Sequence, residues 1–429
     1  MTVITSLDRA GDVCGARFGR AAQPNGELGD SVRGTTSPIR TRRGMRRAWY
    51  IAVAVTAATA LTATACAKDG SGGGNATIKL GMVVAETGPI AGAGKTFANG
   101  ARIAAQEIND GDLIGGGKKI ELVAKEGSED PAKSAGVVSQ LVADKDVTGI
   151  ACCILSTVAG AAKPIADKQK VPLVLWGATD VNLAEPPYVF RTVTMPQPAN
   201  EKLAQTVAQQ RKPATVAYGV VTDNSGIVSQ ADAFKKGMTE AGVRNVGQVD
   251  TLSTQTNFTG AATDLIQKNA DAIVVVGTQS NAVGLIAALH DKGYAGQVVS
   301  GETISGTGVY KSQPAALGSV PFPVYFLAGS ATGAGKTFAA DYKAKYGDDP
   351  DDYAAQGFTA IWTMAMGLKA AGHDTTRAGL AKALGQMTEL DTVYGKVTFD
   401  HGQLNAAPSV QAVHYTAPDG AIAPWTPGN

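Results

Sequence analysis

Two copies of one short motif are the first candidates for chemistry in this 429-residue chain. The pentapeptide GAGKT occurs at residues 92–96 and again at 333–337. A phosphate-binding loop also needs a small residue further upstream, so that consecutive backbone N–H groups can wrap the phosphates. Pro89 and Ser330 stand at those positions, which argues against nucleotide hydrolysis. The first copy follows a β-rich run and opens an Ala-rich one, so anion binding stays open for it.

Side chains that commonly carry catalysis or bind metals are scattered along the sequence. The four histidines, residues 290, 373, 401 and 414, show no HExxH pattern and no cysteine partners at metal-ligand spacing. No GxSxG motif marks a serine nucleophile. The sequence therefore predicts neither an enzyme nor a bound metal or cofactor.

An acidic group surrounds Pro350 and consists of Asp348, Asp349, Asp351 and Asp352. We interpret it as the solvated start of a helix, because acidic side chains stabilise the first helical turn. Weak Ca²⁺ binding is the alternative.

Ser156 and Thr157 lie between a strand-like run and a helix-like run. Backbone N–H groups at a helix N-terminus favour an anion such as a carboxylate, and the Ser156 hydroxyl can add a donor. A plain N-cap is the alternative, in which the hydroxyl serves only its own helix. The pair is therefore a candidate anion site.

The elements that position these residues alternate between β-rich runs and amphipathic, Ala-rich stretches. Strands are predicted at 77–84, 118–125, 147–153 and 171–176, with helices between them at 96–110, 130–145 and 157–170. The same order restarts after Arg191, with strands at 214–221, 247–252, 271–277 and 296–301. This succession predicts an α/β fold with parallel sheets covered on both faces. Ligands bind such sheets outside the carboxyl ends of the strands.

The first 76 residues read as targeting sequence. Arginines precede an uncharged apolar run that ends in small residues before Cys66, the order typical of a secretory signal. We assign 45–65 to the signal and 66–76 to a Gly-rich tether. Residues 1–44 are interpreted as untranslated, with Met45 as the true start, or as a disordered extension.

Charge excludes nucleic acid as a partner. The whole chain has a formal net charge of +1, and the part after residue 65 has 29 Lys plus Arg against 33 Asp plus Glu, a net charge of −4. Such a balance offers no basic surface for a polyanion.

The segment ATAC, residues 63–66, resembles a bacterial lipobox, with Ala63 where leucine is usual. The resemblance implies cleavage before Cys66 and a lipid on its sulfur, which anchors the protein to the extracytoplasmic face of a bacterial cell membrane. A signal cleaved elsewhere, with Cys66 incidental, is the alternative.

Several longer segments resemble the type I periplasmic binding proteins, above all the branched-chain amino-acid binding proteins of ABC importers. They include IKLGMVVAETGPIAGAGKTFANGARIAAQEIND, PLVLWGATDVNLAEPPYVFRT and YKAKYGDDPDDYAAQGFTAIWTMAMGL. The match covers residues 77–416 in the expected order. It implies two Rossmann-like lobes joined by three hinge crossovers and closing on a small molecule. Lobe 1 would be 77–196 plus 325–394, and lobe 2 would be 197–324 plus 395–417. The crossovers would be YVFRTVTMP, PFPVYF and YGKVTF.

The resemblance also implies a binding site. Ser156 falls on the family's carboxylate-binding serine, and Thr179 falls on its second hydroxyl, with the Ala178 backbone beside it. Glu302 matches the acidic partner of a ligand ammonium group. Thr179 as the N-cap of 180–184, and Glu302 as a solvated carboxylate, are the alternatives.

Three aromatic side chains common in the family are missing. Ala93, Gly226 and Gln279 stand at their positions. A different or larger pocket is expected, made more polar by the side chains of Asp223, Asn224, Ser225, Gln279 and Ser280. Trp176 is either an apolar wall of this pocket or, as we favour, a core residue.

Cys152 and Cys153 end a strand, and the family's usual disulfide partner is replaced near Glu129. Two buried thiols are the favoured interpretation, and a vicinal disulfide is the alternative.

The function implied by the resemblance is a monomeric, non-catalytic receptor. It would deliver an amino acid or related small molecule to an ABC permease by closing its cleft. A sensor of the same fold for amides, urea-like or aromatic compounds is the alternative.

Overall fold

The computed structural model describes residues 77–426. The predicted extension (1–44), signal peptide (45–65), tether (66–76) and lipid-bearing Cys66 lie outside the described residues. Within 77–426, no helix combines the length and the apolar character needed to cross a membrane.

The described residues contain strands and helices in regular alternation. The strands are β1 (Thr77–Val84), β2 (Lys119–Glu126), β3 (Val147–Cys152), β4 (Leu173–Leu175), β5 (Val189–Arg191), β6 (Thr215–Val221), β7 (Arg244–Thr251), β8 (Ala272–Val276), β9 (Gln297–Ser300), β10 (Phe322–Val324), β11 (Glu389–Thr392), β12 (Gly395–Asp400), β13 (Gln403–Asn405), β14 (Gln411–Thr416) and β15 (Ala421–Pro424). The helices are α1 (Ala91–Asp110), α2 (Pro131–Ala143), α3 (Ser156–Gln169), α4 (Gln197–Arg211), α5 (Ser225–Glu240), α6 (Thr259–Gln267), α7 (Gln279–Asp291), α8 (Val309–Ser312), α9 (Pro314–Leu317), α10 (Gly333–Tyr346), α11 (Asp352–Ala371) and α12 (Arg377–Gln386).

Capping side chains explain where some of these helices begin. Asp130 accepts hydrogen bonds from the backbone N–H groups of Ala132 and Lys133 at the start of α2, and Pro131 occupies the first turn, as the sequence predicts. Asn224 caps α5 in the same way, by accepting from Gly226 N and Ile227 N. Each cap satisfies N–H groups that the helix itself leaves without an acceptor.

The first sheet has the order β11-β12-β13-β5-β4-β3-β1-β2. Its strands β1 to β5 pair in parallel, as the β–α succession predicts, and β13 pairs in parallel with β5. The pairs β11–β12 and β12–β13 are antiparallel. The prediction that residues 395–417 belong to lobe 2 is therefore wrong for β12 and β13. Phe399 and Leu404 from these strands are buried in the core beneath the first sheet, which explains why the chain returns there before it crosses.

The second sheet is entirely parallel, with the order β7-β6-β8-β9. A small antiparallel sheet, β10-β14-β15, lies next to it, and Ser300 N at the end of β9 donates to the Pro321 carbonyl oxygen just before β10. We call the first sheet with α1–α3 and α10–α12 the first lobe, and the other two sheets with α4–α9 the second lobe. Each main sheet is buried on both faces by helices, so the chain is an α/β protein of two Rossmann-like lobes.

Three crossovers join the lobes. The first lies between β5 and α4, at residues 192–196, and the second follows β10, at 325–327. The first falls within a predicted crossover segment, and the second overlaps the predicted segment PFPVYF (321–326). The third lies between β13 and β14, at 406–410, so YGKVTF (394–399) was the wrong segment. It forms most of β12 in the first sheet instead.

Helices α1 and α11 pack backbone against backbone at two glycines. A Cβ atom at Gly100 would overlap the carbonyl oxygen of Ala354, and one at Gly357 would overlap the carbonyl oxygen of Phe97. Only glycine permits this approach, which brings Phe97 and Tyr353 into ring contact, with centroids 5.3 Å apart. The two helices thereby fix one wall of the cleft described below.

We expect Gly100→Ala to lower the free energy of unfolding by about 1–3 kcal/mol, because the added methyl forces the two helices apart. The control is Gly136→Ala in α2, where a Cβ would meet nothing within 4 Å. That change should raise stability by about 0.5–1 kcal/mol, since alanine is the better helix former. Urea denaturation measures both. Equal effects of the two substitutions would contradict the close approach.

Candidate functional site

Loops at the carboxyl ends of strands in both lobes converge on a small cavity of about 50 Å³. The first lobe contributes the segments after β3 and β4 together with side chains of α1 and α11. The second lobe contributes the segments after β6, β8 and β9, and side chains of α5. The first lobe supplies most of the apolar lining, and the second supplies mostly polar side chains. The site therefore lies where parallel sheets generally bind ligands.

Ser156 is a central polar residue on the first-lobe side of the cavity. It is buried, and its Oγ accepts hydrogen bonds from the backbone N–H groups of Thr179 and Asp180, both at 3.1 Å. Because the hydroxyl accepts both bonds, its own proton remains available for another oxygen. Leu155 is the N-cap of α3 and no side chain caps the helix, so the plain N-cap interpretation of Ser156 is wrong. The serine instead ties the loop after β4 to the start of α3.

Thr179 is buried and receives hydrogen bonds from the second lobe. Gln230 Nε2 donates to Thr179 Oγ1 and Gln197 Nε2 donates to the Thr179 carbonyl oxygen, each at 3.2 Å. No helix follows at 180–184, so Thr179 is not the N-cap that was the alternative. These bonds span the cleft, which is closed in this structure.

Gly226 shows how tightly the lobes meet. A Cβ at this position would overlap Ser156 Oγ and come within 2.7 Å of Thr179 Oγ1. Glycine therefore lets the N-terminus of α5 approach the two hydroxyls when the cleft is closed.

Glu302 lines the second-lobe side of the cavity and is 5% exposed, so the interpretation as a solvated carboxylate is wrong. Its Oε2 has no hydrogen-bond partner among the described residues. Burial, and then the charge of Asp352, raise the pKa of Glu302 well above its ordinary value of 4.5. The carboxyl group is thus held in an environment that strongly favours a proton or a cation beside it.

The acidic group around Pro350 is only partly solvated, which corrects the prediction. Asp351 and Asp352 are buried. Asp351 caps α11 through Ala354 N and also accepts from Thr307 N of the second lobe. Only Asp348 and Asp349 are exposed. No group of three or more metal-ligating side chains in residues 77–426 is arranged to hold a metal.

Asp352 links the cavity to the second crossover. Its Oδ1 accepts from Phe326 N at 3.0 Å and its Oδ2 accepts from Tyr325 N at 3.3 Å. Burial, with a smaller contribution from the charge of Asp351, raises the pKa of Asp352 to about 7, although the two N–H groups act in the opposite direction. Two neighbouring carboxyl groups, Glu302 and Asp352, therefore both resist ionisation.

The remaining predicted residues are divided between the cavity and its surroundings. Gln279, at the start of α7, lines the cavity. Thr157 is half-buried in the first turn of α3, and Ala178 is buried; neither side chain lines the cavity. Asp223 is exposed outside the cavity and accepts hydrogen bonds from the backbone and hydroxyl of Ser253, so its prediction as a pocket residue is wrong. A position just after a strand predicts that a residue lies near the cleft, but it does not predict which way its side chain points.

The apolar wall is formed by Phe97 and Tyr353 with aliphatic side chains. Trp176 is fully buried behind Phe97, with ring centroids 5.3 Å apart, and does not itself line the cavity. The interpretation of Trp176 as a core residue is therefore confirmed. Phe97 lies one turn further along α1 than Ala93, and both residues line the cavity.

Cys152 and Cys153 form a vicinal disulfide, so the favoured interpretation as two thiols is wrong. Both residues are buried, and Cys153 adopts a positive φ of 76°. The pair immediately precedes Ile154 and Leu155, which line the cavity next to Ser156. The disulfide therefore lies directly next to the segment that carries Ser156 into the cavity.

Several lining residues were missed by the sequence interpretation: Gln230, Thr278, Thr303, Tyr353 and Gln356. Thr278 and Thr303 follow β8 and β9, so the strand-end rule indicates their segments, 277–281 and 301–305, without singling out these side chains. The others lie inside helices, where polar or aromatic side chains give no local signal of which face meets the cleft.

Known proteins resemble the chain along most of its length. The periplasmic binding protein family matches residues 77–416. The Leu/Ile/Val-binding protein BraC3 of Rhizobium johnstonii is 25% identical over 334 residues, covering 76% of this chain and 88% of that protein.

Solved structures share the fold. A leucine-binding protein, LivK, of Thermotoga maritima has 20% identity and a TM-score of 0.74, covering 81% of this chain and 98% of its own. A solute-binding protein of an ABC transporter from R. palustris, solved with benzoate, has 17% identity and a TM-score of 0.72. The match covers 81% of this chain and 95% of that protein. With the family match spanning both lobes and the cleft between them, the chain belongs to the periplasmic binding protein family.

Proposed function

We propose that this protein is an extracytoplasmic solute-binding receptor that delivers an amino acid, or a close relative of one, to an ABC importer by closing its cleft. The observation that carries the proposal is the pairing of two chemistries across one cavity. Hydroxyl groups of Ser156 and Thr179 lie on the first-lobe side, and the unpaired carboxyl group of Glu302 lies on the other. A zwitterionic ligand presents the complement of both.

The α-carboxylate would accept from the Ser156 hydroxyl and from the Thr179 hydroxyl, because both hydroxyl oxygens accept hydrogen bonds within the protein and each keeps its own proton free to donate. The α-ammonium would bind Glu302, because a buried carboxylate gains most from a cation at hydrogen-bond distance. Contacts with both lobes at once stabilise the closed form relative to the open one, which is what ligand-induced closure requires. A permease can then distinguish the two forms. Binding and closure suffice for this role, and no chemical step is proposed.

An aromatic acid is the second candidate ligand, since a protein of similar fold was solved with benzoate. The hydroxyl pair and the Phe97–Tyr353 wall suit a carboxylate on a ring. Such a ligand would leave Glu302 without a donor, which makes the amino acid the better match. Sensing of the same ligands, without transport, would use the same cleft.

We also propose that Cys66 carries a lipid anchor and that residues 45–65 are removed as a signal peptide. The support is the order of arginine cluster, apolar run, small residues and cysteine, followed by a Gly-rich tether. A tether of this composition lets an anchored receptor reach a permease in the same membrane.

Replacement of both hydroxyls, Ser156→Ala with Thr179→Val, is expected to abolish the thermal stabilisation that the amino-acid ligand gives. The double change removes the donors for the α-carboxylate while nearly preserving volume. Asp223→Ala is the control, because Asp223 lies outside the cavity. Differential scanning fluorimetry against the twenty amino acids provides the measurement. Full stabilisation of the double variant would show that the carboxylate binds elsewhere.

The ligand-free cleft should close more readily at low pH. Closure buries Glu302 and Asp352, and burial raises the pKa of both carboxyl groups. Protonation of these groups therefore favours the closed form at low pH. As the pH rises above about 7, their ionisation opposes closure. Small-angle X-ray scattering between pH 5 and 8 should show a radius of gyration that increases with pH. Glu302→Gln stays neutral and should weaken the dependence. An unchanged dependence in the variant would remove Glu302 from this role.

Cys66→Ser should move the protein from the membrane fraction to the soluble extracytoplasmic fraction of a bacterial host, because the sulfur that would carry the lipid is lost. Ser71→Ala, in the predicted tether, is the control and should leave the distribution unchanged. Fractionation followed by immunoblotting measures both. Membrane retention of the Cys66 variant would contradict the anchor.

A further inference from the structure

Four polar atoms in second-lobe residues that line the cavity have no hydrogen-bond partner among the described residues. They are Gln230 Oε1, Gln279 Nε2, Glu302 Oε2 and Thr303 Oγ1. All four are shielded from solvent in the closed cleft. Because buried polar atoms in folded proteins nearly always have partners, we take these four atoms as hydrogen-bonding positions open to a bound molecule.

The ammonium group of an amino acid accounts for only part of the set. Its N–H groups can donate to the acceptors Glu302 Oε2 and Gln230 Oε1. Gln279 Nε2 is itself a donor, so it cannot pair with an ammonium group. An additional oxygen acceptor is needed, and in an amino acid bound through Ser156 and Thr179 that oxygen has to come from the side chain.

The Gln279 carboxamide is held in place by two glycines, one from each lobe. A Cβ at Gly92 in α1 would overlap Gln279 Oε1, and a Cβ at Gly306 would overlap Gln279 Nε2. The side chain therefore lies between the lobes in the closed cleft, where it has little freedom to turn toward solvent. A donor fixed in this way is suited to discriminate between ligands.

We infer that the cleft selects amino acids whose short side chain ends in a hydroxyl or carboxamide oxygen, and that Gln279 is the residue that determines this specificity. The inference rests on the proposed function and narrows its ligand class. A branched apolar side chain would bury Gln279 Nε2 unpaired, which sites built for a hydrogen bond reject strongly. An acidic side chain is disfavoured because Glu302 lines the cavity, whereas no Lys, Arg or His among the described residues does so. The cavity of about 50 Å³ favours short side chains.

The test uses ligand pairs of nearly equal shape. L-Threonine is compared with L-valine, and L-asparagine with L-leucine, by isothermal titration calorimetry on the full chain after exhaustive dialysis. The expected result is at least about tenfold tighter binding of one or both polar ligands than of their apolar partners. Gln279→Met has a similar length without the donor and should reduce that preference to near unity. Gln209→Met, on the exposed face of α4, is the matched control and should leave it unchanged.

Each other outcome contradicts a different statement. Equal or tighter binding of valine and leucine by the unmodified protein overturns the inferred ligand class but supports an amino-acid receptor. A polar preference that survives in Gln279→Met overturns the role of Gln279. Failure of all four ligands, and of the other amino acids in the thermal screen, overturns the proposed function itself.

Discussion

A buried pair of carboxyl groups, Glu302 and Asp352, sets the conditions for the cleft of this protein. No Lys or Arg in residues 77–426 forms an ion pair with either group. Burial of an ionised carboxylate without a partner costs several kcal/mol, so the closed form needs a proton or a ligand cation at this point. The apolar wall and the hydroxyls of Ser156 and Thr179 can hold a ligand, but they cannot remove this cost. Under the proposed function, the charge of the ligand therefore matters to closure, in addition to its shape.

The glycines in the cleft act together with this electrostatic requirement. Gly226 brings the start of α5 against the Ser156 hydroxyl, and Gly92 makes room for Gln279. Here the backbone itself comes close, and the cavity is small and lined on its second-lobe side mostly by polar residues. The sequence interpretation expected a more polar pocket but also allowed for a larger one.

The sequence was sufficient to predict the parallel pairing of the central strands in each lobe, because the alternation of strands and helices and caps such as Asp130 are local signals. It was also sufficient to place Ser156, Thr179, Glu302 and Gln279 just after the carboxyl ends of predicted strands. It failed where the decisive contact joins distant segments. Asp352 read as a solvated helix start, since nothing nearby in the sequence reveals that Tyr325 N and Phe326 N donate to it. The hairpin of β12 and β13 was misplaced for the same reason, because its pairing with β5 spans more than two hundred residues.

These long-range contacts also connect the ligand to the crossovers. Asp352 uses both carboxyl oxygens to hold the N–H groups of residues 325 and 326, where the chain passes from the second lobe to the first. Protonation of Asp352 weakens one of these acceptors, and ionisation strengthens both. The charge of Asp352 raises the pKa of Glu302, and this repulsion is mutual. Under the proposed function, a ligand cation at Glu302 would therefore make it easier for Asp352 to carry its charge and to hold the second crossover.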